Sequence, residues 1–151
     1  MISYLRAMKR VLLLFICLFV TLGAQAQEKK PSMQRKVFVK QFLKHVCDNN
    51  DRKVRKCLNK NYRKEQTKFL GGNRKQLLDE LFSGLDDAAE THVIPFDDIA
   101  SIEIYEVAEI TVEDKIAWVY VFKVSDGVHT ILAPLLLEKH FGSFGFIGAR
   151  G

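Results

Sequence analysis

The sequence predicts an α+β domain in which three N-terminal helices pack on a curved four-stranded antiparallel meander. Three observations carry this prediction. Apolar residues recur at helical spacing as far as Leu85. Beyond Ile99 they alternate at period two instead. The alternating runs are joined by turns of only a few residues, which connect antiparallel strands. Helices first and strands second make a segregated α+β domain. The helical stripes have one face of the sheet as the only large surface to bury against.

In the first helix, Gln34 to Cys47, Val39, Phe42, Leu43 and Val46 form the inner stripe. Lys36, Lys40 and Lys44 share the wet face. Asp48-Asn49-Asn50 stops this helix, because Asn and Asp compete for backbone groups and tolerate turn geometry. Asp51 is placed to cap a short second helix with Val54, Cys57, Leu58 and Asn61/Tyr62 inward. That helix is very basic, with Arg52, Lys53, Arg55, Lys56 and Lys60. Gly71-Gly72 breaks the chain, and Asn73 caps a third helix carrying Leu77, Leu78, Leu81, Phe82 and Leu85. Gly84 and Asp86-Asp87 end it, and residues 88–98, with Pro95, read as a connector.

Ile102, Ile104, Ala108, Ile110 and Val112 make the first strand, interrupted by Glu106. After the turn Glu113-Asp114-Lys115, residues Ile116 to Val124 put Trp118, Tyr120 and Phe122 on one face. Ser125-Asp126-Gly127 is a hairpin signal. Val128 to Lys139 is the third strand. Pro134 inside it predicts an edge strand or a bend, since proline cannot donate to a ladder. Gly142-Ser143 turns the chain into the last strand, Phe144 to Ala149. Its glycines suit close backbone approach. No helix follows to make a phosphate loop of them.

The domain, residues 34–151, follows a secretion signal and a short polar leader, residues 27–33. Arg6, Lys9 and Arg10 are the basic start, Val11 to Ala24 the apolar run, and Ala24-Gln25-Ala26 the small-residue cleavage site. The run of 14 residues is short for a membrane span, which needs about 20. The expectation is a periplasmic or secreted bacterial protein beginning at Gln27. Its contact with the membrane is limited to the transient signal.

Charge is segregated. Residues 27–75 hold sixteen Lys and Arg against four Asp and Glu, a net +12, while residues 76–151 hold four against fourteen, a net −10. Either the two halves attract one another, within the fold or head to tail between molecules, or the first half meets an anionic partner. Nucleic acid is not an expected partner, because the compartment is wrong and no aromatic-interleaved motif is present. Cys47 and Cys57 survive processing and are a candidate disulfide in an oxidising compartment. The other reading is two buried thiols.

The order of elements, with the stretch Phe42-Leu43-Lys44, Asp51, Leu58, Tyr62, resembles the nuclear-transport-factor-2-like (cystatin-like) superfamily, in particular its small secreted bacterial members. The resemblance implies a cone whose helices line the concave side of a bent sheet, with a pocket between them. That superfamily includes enzymes, small-ligand binders and interaction modules, so fold alone does not choose among them.

Glu106 is the weak catalytic candidate. In register it would lie among Ile102, Ile104, Ala108 and Ile110, and a carboxylate on an apolar face has the raised pKa of a general base. A β-bulge near Tyr105-Glu106 would turn it to water instead. Tyr105, Trp118 and Tyr120 are pocket candidates, with the aromatic face read either as core or as a ligand wall. His45, His92, His129 and His140 form no zinc or triad spacing, so no metal and no cofactor is expected. Lys36, Lys40, Lys44, Arg52, Lys53 and Lys56 are candidates for an anionic surface.

Three functions follow. The first is an exported, non-catalytic module that binds a small ligand or an envelope protein, with a homodimer through the sheet left open. The second is a pocket enzyme of the isomerase or dehydratase type, with Glu106 as base and Tyr105 or Tyr120 as hydrogen-bond donor. The third is a binder of anionic envelope polymers or lipid head groups through the basic helices.

Overall fold

The computed structural model describes residues 32–148. The signal, the leader up to residue 31 and Ala149 lie outside the described residues. Four helices come first: α1 (Met33–Cys47), α2 (Asp51–Lys56), α3 (Lys60–Phe69) and α4 (Arg74–Asp79). Each begins where a side-chain oxygen accepts a backbone N–H: Ser32 from Arg35, Asn50 from Lys53, Asn59 from Tyr62 and Asn73 from Gln76. These caps satisfy donors that have no partner within the helix. Asn50, rather than Asp51, caps α2. Asp51 sits in its first turn, where a carboxylate meets the positive end of the helix.

The single second helix expected from the sequence is two. Between α2 and α3, Leu58 makes a parallel bridge with Phe146 in the last strand. The Phe146 N–H donates to the Cys57 carbonyl at 2.9 Å, and the Asn59 N–H donates to the Phe146 carbonyl at 2.8 Å. Backbone committed to a strand cannot stay in a helical ladder, so the helix stops and Asn59 starts a new one. The expected third helix likewise ends at Asp79. Ser83–Leu85 is strand β1, paired with β2 (Thr91–Val93) inside the stretch expected to be a connector. A 3-10 turn, Phe96–Asp98, follows.

Strands β3 (Ser101–Val112), β4 (Lys115–Ser125), β5 (Thr130–His140) and β6 (Ser143–Gly148) form the expected meander. The sheet is therefore six-stranded and antiparallel, in the order β2-β1-β5-β4-β3, with β6 also on β5. The fold class stands as α+β, with four helices and six strands in place of three and four.

Pro134 lies in β5, which is flanked on both sides and is not an edge. β1 pairs with β5 at Leu132, and β6 pairs with it from Leu135 onward. Pro134 falls in the gap between those two partners, where a missing donor costs nothing. Gly84 allows β1 to lie against β5, since a Cβ there would sit 1.8 Å from the Leu132 carbonyl oxygen.

The helices cover one face of the sheet. Phe42 on α1 is fully buried, with its ring centroid 4.5 Å from that of Phe146 and 5.7 Å from that of Phe122. Phe38 touches Phe144 and Phe146, and Leu77, Leu78, Leu81 and Phe82 join the same core. A buried side chain of this size stabilises by about 2–3 kcal/mol relative to exposure.

Cys47 and Cys57 are not bridged. Both are free, Cys47 exposed at the end of α1 and Cys57 buried. The bridge to Phe146 turns Cys57 into the core, and burial pushes its thiol up to about 11.

Candidate functional site

The cations of α2 and α3 converge. Arg52, Arg55 and Lys56 on α2, Arg63, Lys64 and Lys68 on α3, and Arg74 at the start of α4 line one groove of about 750 Å³, together with Thr67 and Gly72. Residues 52, 55 and 56 share a helical face, as do 63, 64, 67 and 68. The break at Cys57–Asn59 folds the two faces toward each other. The groove is braced from within: the Arg63 guanidinium donates to the Arg55 carbonyl at 3.2 Å, and Arg55 lies 3.8 Å from Asp51. Two unit charges about 10 Å apart in water repel by ~0.4 kcal/mol before salt screens them. Seven cations around one groove, of which Arg55 is paired with Asp51, therefore repel one another weakly, and an anion entering the groove relieves that repulsion.

Lys56 and Arg63 also line an adjoining hollow of about 500 Å³, with Lys60, His140, Phe141 and Phe144 among its walls. Phe141 and Gly142 are the two central residues of the β5–β6 hairpin, and both have positive φ, 48° and 80°. Such a turn favours Asn-Gly. Phe in the left-handed region costs about 1 kcal/mol or more. The ring is 95% exposed, with the His140 ring edge-on at 4.3 Å.

A smaller pocket of about 240 Å³ lies beyond, lined by Asn59, Tyr62, Lys115, Glu138 and His140 among others. Three of its polar groups are engaged with the protein itself. The Asn59 amide donates to Glu138, and Tyr62 is hydrogen-bonded to the Gly148 backbone. Burial raises the Tyr62 pKa strongly, so this phenol stays neutral.

The residues singled out from the sequence fall in four places. Arg52 and Lys56 are in the groove. Lys53 is exposed on α2 but outside the lining, and Lys36, Lys40 and Lys44 stand on the outer side of α1. Lys44 is engaged by Asp48 at 2.6 Å; that hydrogen bond raises the lysine pKa and lowers that of the aspartate.

Trp118 and Tyr120 face the helices, and Arg35 lies across them. Its guanidinium sits 4.5 Å above the Trp118 ring and donates to the Tyr120 hydroxyl at 2.7 Å. Arg35 is only 3% exposed. The aromatic wall thus stacks the chain's own cation. Arg35 precedes Val39 by four and Phe42 by seven, which puts it on the buried stripe; that spacing was the available signal.

Tyr105 and Glu106 are at a bulge. Ile104 pairs with Phe122 and Glu106 with Val121, so Tyr105 is the extra residue. The shift puts Glu106 on the face of Ala108 and Ile110, opposite Ile102 and Ile104. Tyr105 is exposed and Glu106 half-buried. Neither meets Trp118 or Tyr120 to form an acid–base pair.

Sequence reasoning reached Arg63 and Lys64 only as part of the basic stretch of residues 52–64, and left Lys68, Arg74 and Phe141 outside it. The first three sit in a basic run that the helix break redirects, and Phe141 reads as the start of a strand until the turn geometry is known. Comparison of the chain with family models, with curated proteins and with solved structures returns no match.

Proposed function

We propose that this chain is an exported, non-catalytic binding module whose ligand is an anionic polymer of the cell envelope, held along the groove between α2 and α3. The single observation that carries this reading is the gathering of Arg52, Arg55, Lys56, Arg63, Lys64, Lys68 and Arg74 around one groove. Lys75 pairs with Asp97 at 3.2 Å, linking the basic and acidic halves of the chain, but the groove cations are grouped with one another. Clustering of this kind attracts and steers polyanions. The signal-like segment 1–26 supports export. Helices on one face of a sheet whose β3 is bent by a bulge support the nuclear-transport-factor-2-like cone as the finer description of the fold. The filling of the space over Trp118 by Arg35 favours the outer groove over an inner pocket.

The test uses the chain from Gln27 onward and linear polyphosphate, titrated by calorimetry at low and physiological salt. Affinity falls about tenfold or more between the two, as expected when several charges are neutralised together. Arg63→Glu with Lys64→Glu removes binding, and Lys36→Glu with Lys40→Glu on α1 changes it less than about twofold. Salt-independent binding, or equal loss from both double variants, overturns the reading.

A further inference from the structure

We propose that Phe141 is a specificity-determining residue that stacks on a sugar ring, so that the polymer held by the basic groove is an acidic polysaccharide. This rests on the reading of the groove as a polyanion site. Two observations carry the step beyond it.

First, the groove and the hollow beside Phe141 share Lys56 and Arg63 and so form one track. A flexible polymer lying along it reaches the ring. A flat membrane surface does not enter a hollow of this kind.

Second, Phe141 occupies a position poorly suited to an aromatic side chain. Its φ is +48° and its ring is 95% exposed, so the fold gains almost no burial from an aromatic side chain there. The residue is accounted for by something that meets the ring from outside. Polyphosphate has no ring or apolar surface to offer it. A single strand of nucleic acid is read by successive stacking platforms, whereas the two exposed rings of the hollow, Phe141 and His140, stand edge-on to each other at 4.3 Å and offer no such succession. Phe144, its other phenylalanine, is half-buried and engaged by Phe38 at 5.7 Å, Trp118 at 6.1 Å and the Lys139 ammonium at 5.4 Å. The exposed face of Phe141 beside Lys56, Lys60 and Arg63 fits one sugar ring bearing acidic groups.

The test is Phe141→Asn, because asparagine suits the left-handed turn and the variant folds at least as well. Its melting temperature rises by about 3 °C. Affinity for a heparin-derived oligosaccharide falls about fivefold or more, and affinity for linear polyphosphate stays within about twofold of the parent. Arg63→Glu with Lys64→Glu loses both ligands. Unchanged oligosaccharide affinity in Phe141→Asn overturns the inference while leaving the groove reading intact. So does an equal loss for both polymers, or a single-stranded oligonucleotide binding more tightly than the oligosaccharide. Failure of the parent chain to bind either polymer overturns both readings.

Discussion

The two flanks of the sheet differ in charge and in what holds them. On the β6 flank, Cys57–Asn59 pairs with Phe146, and the basic helices α2 and α3 are set at an angle by that short contact while Val54 and Tyr62 anchor them in the core. On the opposite flank, β3 presents a free edge among the described residues, carrying Glu103, Glu106 and Glu109, with Glu113 and Asp114 in the turn that follows. Three strand spacings of about 4.8 Å put β6 and β3 ~14 Å apart. The acidic flank is a hairpin of eleven paired positions interrupted by the single bulge at Tyr105. It needs little specific packing to persist, and its carboxylates discourage edge-to-edge pairing with a second β3. The basic flank concentrates like charge on a few backbone contacts. It depends on them closely.

Gly145→Val is the strongest way to break this contrast. A Cβ at residue 145 would lie 2.8 Å from the Asn59 Cα, a backbone atom that cannot move aside alone. The variant loses about 3 kcal/mol or more in denaturant unfolding, as severe overpacking does. Polyphosphate binding falls with it, because the groove is displaced. A loss below about 1 kcal/mol would mean that α2 and α3 are held by something other than this bridge.

Deleting Tyr105 on the acidic flank sharpens the comparison. Ile104 already pairs with Phe122 and Glu106 with Val121, so removing the extra residue restores a regular ladder and keeps every other side chain on its face. The expected loss is about 1 kcal/mol or less by thermal unfolding, and polyphosphate affinity is unchanged. A loss comparable with that of Gly145→Val would show the bulge to be structural.

The β4–β5 loop, which belongs to neither flank, supplies the smallest effect. The Asp126 carboxylate accepts from the backbone N–H groups of His129 and Val128, which lower its pKa from 3.8 to about 2. A lowered folded-state pKa stabilises above the unfolded value and loses that contribution as pH falls. Acid titration of stability therefore shows a component between pH 3.8 and about 2 that disappears in Asp126→Asn. Its persistence in the variant would assign it to other carboxylates.

The candidate site was half legible. The basic run from Arg52 to Lys64 is visible as charge, and the spacing of α1 shows which of its lysines stay wet. The bend at Leu58 is not visible, because it depends on a strand almost ninety residues later in the chain. Without that bend, Arg52 and Lys56 on one helix and Arg63 to Lys68 on the next are one long charged face, not the walls of a groove. The aromatic face reads equally as core or as ligand wall for the same reason: Arg35 lies eighty-five residues from the Tyr120 hydroxyl it reaches. A disulfide is allowed by the count of cysteines and the compartment. The structure leaves both thiols free, Cys47 exposed and Cys57 buried, a difference in burial that neither the count nor the compartment shows.

Period and punctuation determined the class of fold, the core stripe of α1, the turns of the meander and the separation of charge, because each is set by residues within one turn of helix or one strand of each other. The splitting of the second helix, the extra β1–β2 hairpin, the seating of Arg35 on Trp118 and the convergence of the groove were decided by tertiary structure alone. Each arises where distant backbone or side chains compete for the same hydrogen bonds and the same buried space.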